Sequence, residues 1–236
     1  MTAQPELRGD VAVLVPAAGL GTRLGPGAPK ALRHLAGASL LAHVIRRLDR
    51  SPSVAHVVVA APPGGVEAVR ALLVDEITAR LPVEVVAGGA TRQRSVAQAL
   101  AAVPSKYPIV LVHDAARAFA PPELMERVAA AVRDGHDAVI PVLPVVDTIK
   151  RVDDAGHVVA TMERNDLRSV QTPQGFRRVV LEMAHRTHDE ADATDDAGLV
   201  ERLGVKVFCV EGAEAAIKIT RPADLLLAEA LGLAES

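Results

Sequence analysis

The chain of 236 residues has one cysteine, Cys209, no tryptophan, one tyrosine and three phenylalanines. A lone cysteine excludes an internal disulfide and a cysteine-based zinc site; lying in an apolar strand-like run, Cys209 reads as a small core residue. So few aromatics leave little from which to build a base-stacking platform. A formal net charge of −3 gives no electrostatic footprint for DNA or RNA, so no nucleic-acid partner is expected. Half of the residues are hydrophobic, yet no apolar run reaches the length of a membrane span. The N-terminus also lacks a basic segment followed by a signal-type apolar region. These absences predict a cytoplasmic protein without a membrane partner. Repeats and low-complexity tracts are missing too, and the length suits one large α/β domain.

What is present is concentrated in VAVLVPAAGLGTRLGPGAPK, residues 11–30. Residues 11–15 are apolar and β-branched, as in a strand buried on both faces. The strand runs into Gly19, Gly21, Gly25 and Gly27, a turn whose backbone N–H groups are open to phosphate oxygens. Within it stand Arg23 and Lys30, the latter stiffened by Pro29. Neither the dinucleotide fingerprint nor the P-loop fits: the glycine after Gly21 comes one residue late, and Lys30 is followed by Ala31. The residues do resemble the A-A-G-x-G-x-R…P-K turn of sugar-nucleotide type nucleotidyltransferases. The plain alternative is a glycine-rich βα loop with incidental surface cations.

The rest of the chain predicts alternating strands and helices. Residues 39–49 read as a helix with Arg46, Arg47 and Arg50 facing out, 55–61 as a strand, and 66–81 as a helix ended by Pro82. Residues 83–86 form a short strand, followed by GGATRQRS (88–95) and a helix through residue 103. Two glycine turns at strand ends fall on the carboxyl edge of a parallel sheet, where one ligand would meet both. Alone, the second turn is equally an ordinary turn with solvated arginines. A strand at 109–112 runs into His113-Asp114-Ala115-Ala116-Arg117. Asp114 is placed to hold Mg²⁺ carried by phosphates, or simply to cap the next turn. Arg117 would reach an anionic group, and His113 reads as a packed neighbour rather than a base.

Residues 121–135 read as a helix and 137–142 as a strand. The segments 145–152 and 157–162 then form a hairpin around Asp153-Asp154-Ala155-Gly156. That hairpin is either an arm for a twofold partner or a flap over the site. Residues 177–186 are helical, and Thr194-Asp195-Asp196 suits an acidic helix N-terminus better than a second metal site. His185 and His188 lack ligand-rich company. Strand-like segments at 206–210 and 217–220 precede a helix near Pro222, and Lys218 must face a cavity or solvent.

PAAGLGTRLGPGAPK, GGATRQRS, VHDAAR, the arm VVDTIKR through MERNDLRSVQTPQ, and TDDAG with IKITRPAD together closely resemble the 2-C-methyl-D-erythritol 4-phosphate cytidylyltransferase family. The resemblance implies a Rossmann-like α/β nucleotidyltransferase sheet with helices on both faces. It also implies a protruding β-hairpin dimerisation arm at about 143–171, inserted in a single domain over 1–236. The implied reaction converts CTP and methylerythritol phosphate, with Mg²⁺, to a diphosphocytidyl product and pyrophosphate. Arg23 and Lys30 match the cations that stabilise the transition state, and Asp114 the metal ligand. Ala17, Ala18, Gly19, Gly21, Gly89, Ala90, Ser95, Ala115 and Lys218 match the CTP site. Arg117, Thr148, Arg164, Thr172, Thr194 and again Lys218 match the acceptor site, Arg164 being delivered by the partner of a homodimer. Ala90 and Ala118 depart from the family pattern, which more often has a polar or acidic residue and a proline. A pentitol phosphate such as ribitol 5-phosphate is the alternative acceptor, and a non-catalytic nucleotide-binding subunit the alternative of another class.

Overall fold

The structure, a computed structural model, describes residues 9–19, 21, 24, 25, 27–187 and 193–230. In chain order these form β1 (Val11–Pro16), a small hairpin of β2 (His34–Leu35) and β3 (Ala38–Ser39), α1 (Leu40–Asp49), β4 (Val54–Ala61) and α2 (Val66–Glu76). Then come β5 (Val83–Ala87), α3 (Arg92–Ala102), β6 (Ile109–Val112), α4 (Pro122–Arg133) and β7 (Ala138–Pro144). A second hairpin, β8 (Lys150–Val152) with β9 (Val158–Thr161), leads to β10 (Arg168–Val170) and β11 (Gln174–Arg177). The chain closes with α5 (Arg178–Thr187), α6 (Asp196–Glu201), β12 (Val207–Glu211) and α7 (Pro222–Ala230).

The sheet is parallel at its centre: β1 lies between β4 and β6, and β5 extends it beyond β4. Residues 11–15 are fully buried because both faces are covered, and successive side chains point to opposite faces. Val11, Val13 and Val15 pack with Leu41 and Ile45 of α1 and Val128 of α4. Ala12 and Leu14 pack with Val96 and Ala99 of α3 and Leu181 of α5. Ser39 and Thr91 cap α1 and α3, their hydroxyls accepting from the Ala42 and Arg94 N–H groups. Among the described residues no helix is long and apolar enough to cross a membrane.

The structure corrects several expectations. β11 enters between β6 and β7, antiparallel to both, and β10 pairs antiparallel with the end of β7; neither was expected. α2 stops at Glu76 rather than near 81, because Ile77 turns extended (φ −127°, ψ 129°). The released segment bonds to α1 instead, the Leu81 N–H donating to Asp49 Oδ1 at 3.0 Å, while the carboxylate of Glu76, the last residue of α2, accepts from the Ser39 N–H at 2.8 Å. Arg47 is buried rather than outward, its guanidinium 5.1 Å from the centre of the Phe119 ring. Residues 217–220 are not a strand; the Ile219 N–H donates to the Ala116 carbonyl and the segment otherwise follows the site. Cys209 is exposed rather than core, since β12 pairs with β7 and its outer positions are uncovered.

The hairpin β8–β9 stands apart as a two-stranded sheet. Pairing to the main sheet ends at Pro144 and resumes at Arg168. Val152, Val158 and Val159 on it are more than half exposed.

Candidate active site

Three strand ends build the site. After β1 the Ala17 N–H still donates to the Ala60 carbonyl at 2.9 Å, and the chain then enters the glycine loop. Gly21 has φ +67°, and a Cβ there would stand 2.5 Å from Lys30 Cβ, so only glycine lets the loop fold onto the lysine. The Lys30 N–H reaches the Gly19 carbonyl at 3.4 Å, and Lys30–Leu32 form a 3₁₀ turn behind Pro29. Lys30 thus reaches the pocket from a short turn rather than a free coil. After β5, the Gly88 N–H donates to the Ala61 carbonyl (2.7 Å) and the Gly89 N–H to Ser95 Oγ (3.1 Å).

After β6, the Asp114 N–H donates to Thr172 Oγ1 at 3.0 Å. The Asp114 carboxylate lies between two cations, with Arg92 Nε 3.1 Å from Oδ1 and Lys218 Nζ 2.8 Å from Oδ2. Burial alone would raise its pKa; Arg92 and Lys218 overcome that and hold it well below the usual carboxylate range. Arg92 Nη1 continues to Asp196 Oδ2 at 2.6 Å, and His185 Nε2 lies 3.1 Å from Asp196 Oδ1. Although burial opposes its charge, Arg92 is held more firmly protonated by Asp196 and Asp114. His113 is pushed down to about 4, chiefly by burial, and is a neutral packed neighbour as expected.

The structure brings most expected residues together. Ala17, Ala18, Gly19, Lys30, Gly89, Ala90, Ser95, Asp114, Ala115 and Lys218 line one pocket. Gly21 supports it from behind Lys30. Arg23 lies outside the described residues, as does His188. The acceptor residues are more scattered. The Arg117 guanidinium donates to the carbonyls of Ala216 (2.7 Å) and Val170 (3.0 Å), joining two segments behind the pocket. Thr172 is buried, its hydroxyl engaged with Asp114 N–H and 3.2 Å from His113 Nδ1. Thr148 and Arg164 are exposed on the arm, with Arg164 Nη1 donating to the Val146 carbonyl at 2.8 Å. Thr194 is exposed at the entry to α6, beside a separate depression.

Sequence reasoning missed Arg92, Asp196 and His185 as one buried system. Asp195 does the capping expected there, accepting from the Gly198 N–H at 3.0 Å, while Asp196 turns inward. Spacing along the chain carries no signal for a pair separated by 104 residues.

Asp114 is the carboxylate of this pocket that could hold a divalent cation. Mg²⁺ usually takes one or two carboxylates and completes its shell with phosphates and water. A single anionic carboxylate fits that role; the Lys218 side chain on its Oδ2 is 45% exposed, with room to yield. Among the described residues no group of three potential ligands forms an all-protein cage.

An α/β sheet, parallel at its centre, with a glycine loop after its first strand and Lys30, Lys218 and Asp114 gathered at its carboxyl edge, is the arrangement of a nucleotidyltransferase. Residues 11–233 match the family model of IspD, 2-C-methyl-D-erythritol 4-phosphate cytidylyltransferase, and the chain belongs to that family. The enzyme of that name from Frankia casuarinae is 58% identical over 221 residues, spanning 94% of this chain and 80% of the relative. Its counterpart from Streptomyces coelicolor is 51% identical over 227 residues, spanning 93% and 84%. The crystal structure of the Thermus thermophilus enzyme superposes with a TM-score of 0.77 at 40% identity, covering 96% of this chain and all of that one.

Proposed function

We propose that the chain transfers the cytidylyl group of CTP to 2-C-methyl-D-erythritol 4-phosphate, giving 4-diphosphocytidyl-2-C-methyl-D-erythritol and pyrophosphate for isoprenoid precursor synthesis by the non-mevalonate pathway. Family membership over residues 11–233 supports the reaction. The observation that carries it to this chain is the convergence of Lys30, Asp114 and Lys218 on one pocket walled by two glycine turns.

The acceptor phosphate oxygen attacks the α-phosphorus of CTP in line, and the bond from that phosphorus to the pyrophosphate oxygen breaks. A phosphate nucleophile is already anionic, so no strong base is required and catalysis rests on positioning and charge stabilisation. Lys30, with Arg23, meets the charge that grows on the α-phosphoryl oxygens. The small walls Ala17, Ala18, Gly89 and Ala90 leave room for the nucleotide against backbone. Asp114 would hold Mg²⁺, which when bound neutralises triphosphate charge. Arg117, Thr172, Thr194 and Lys218 belong to the acceptor side of the reading. So do Thr148 and Arg164, brought by the arm of a partner subunit. The exposed valines of β8–β9 favour such a homodimer. The cytoplasm is the proposed location.

Product analysis tests the reaction. With CTP, methylerythritol phosphate and Mg²⁺, phosphorus NMR should show a pair of coupled diphosphate signals beside free pyrophosphate. Consumption of CTP with no acceptor in the product would refute the transfer.

A further inference from the structure

Arg33 follows the 3₁₀ turn that carries Lys30, and its side chain folds back over the glycine loop. Its Nε donates to the Ala28 carbonyl at 3.2 Å, its Nη1 to the Leu24 carbonyl at 2.8 Å, and its Nη2 to the Gly25 carbonyl. One planar fork therefore gathers three loop carbonyls. That geometry suits a guanidinium; a lysine ammonium is a compact point donor on a flexible stem. The backbone of Arg33 closes the Lys30 turn as well: its N–H donates to the Lys30 carbonyl at 3.2 Å, and its carbonyl accepts from Leu40 N–H at 2.9 Å. A single residue ties Leu24, Gly25 and Ala28 to the turn from which Lys30 enters the pocket.

The loop needs such a tie. Gly21, Gly25 and Gly27 all adopt positive φ, and glycine loses more backbone freedom on ordering than any other residue. A cation stabilises a transition state best when it is held in place before the charge develops. Carbonyls drawn onto Arg33 are also carbonyls not offered to an anionic ligand.

We propose that Arg33 is a positioning residue for the transfer. Through the carbonyls of Leu24, Gly25 and Ala28 its guanidinium fixes the glycine loop, and with it Lys30, in the arrangement that receives the triphosphate. It acts through Lys30 and the loop rather than by touching substrate. This rests on the reaction proposed above and deepens it.

The test compares wild type, Arg33→Ala and Arg33→Lys as full-length chains. Hydrogen exchange of residues 18–32 without ligand is measured beside steady-state kinetics and thermal unfolding. Both variants should exchange loop amides about tenfold faster or more. Both should keep the wild-type melting temperature and lose on the order of tenfold or more in kcat/KM for CTP. The KM for the acceptor should stay unchanged. Lysine should not rescue, because its charge is kept and the fork is lost. Full activity in Arg33→Lys, or unchanged loop exchange in Arg33→Ala, would overturn the proposal. The exchange readout needs no substrate, whereas an error in the reaction itself would leave the wild type inactive too.

Discussion

The Arg92 guanidinium sits 2.6 Å from Asp196 Oδ2, a carboxylate with a side chain only 1% exposed. The same guanidinium holds Asp114 at the pocket wall, so the charge facing a substrate is anchored to one buried in the first turn of α6. Removing the Asp196 charge leaves Arg92, itself 30% exposed, with Asp114 as its remaining partner, so the cost is that of lost charged hydrogen bonds, about 1–3 kcal/mol. Asp196→Asn should therefore lower the unfolding free energy in urea by about that amount. It should also lower kcat at saturating substrate, since Arg92 then loses the contact that fixes where it holds Asp114. Unchanged stability and turnover would mean that Asp196 anchors nothing.

Gly175 shows how tightly the antiparallel strand β11 is pressed under α4. A Cβ there would stand 2.5 Å from Val128 Cγ1 and 3.0 Å from Leu111 Cδ2. Gly175→Ala should destabilise the fold by about 1–3 kcal/mol through overpacking. Urea denaturation measures it, and a neutral result would show that α4 can shift without cost.

His43 is buried, its Nε2 2.9 Å from the Leu35 carbonyl and its ring 5.2 Å from that of Phe119. Burial, aided by nearby Arg46 and Arg47, pushes its pKa below the ordinary value of 6.5, against the pull of the Leu35 carbonyl and Glu76. The unfolded chain then takes up the proton first. The stabilising contribution is complete above pH 6.5 and is lost as the pH falls below it. His43→Gln should flatten the acid side of a stability-against-pH curve measured by denaturant unfolding. A variant with the same slope as the wild type would assign the acid sensitivity to other groups.

The proposed exchange of arms has a direct genetic test. Lys30→Ala and Arg164→Ala should each be nearly inactive as homodimers. Subunits mixed at random should recover about a quarter of wild-type activity, because each mixed dimer then holds one site with both residues intact. No recovery in verified mixed dimers would place Arg164 in its own subunit's chemistry or in none.

The central sheet and the pocket were legible in the sequence because both are written locally. Residues 11–15 alternate between two cores, and Gly19, Gly89 and Asp114 each stand just beyond a strand end, where a parallel sheet gathers them, with Lys30 brought in by the glycine loop that follows β1. What was hidden depends on distant partners. β11 is four residues long and owes its place to pairing with β6 and β7 on either side. Arg47 looks like a surface cation until Phe119 covers it. Arg92 and Asp196 both sit within the motifs, but nothing in either motif indicates that the two meet. Cys209 misled for the opposite reason: its apolar neighbours suggest a core, and only the edge position of β12 exposes it.

Pyrophosphate release from CTP with Mg²⁺ is the measurement that tests the proposed reaction most directly, run with methylerythritol phosphate, with ribitol 5-phosphate and with no acceptor. The expected result is rapid release with methylerythritol phosphate and background release in the other two. Release with ribitol 5-phosphate alone would contradict the acceptor, and release with neither would contradict the transfer itself.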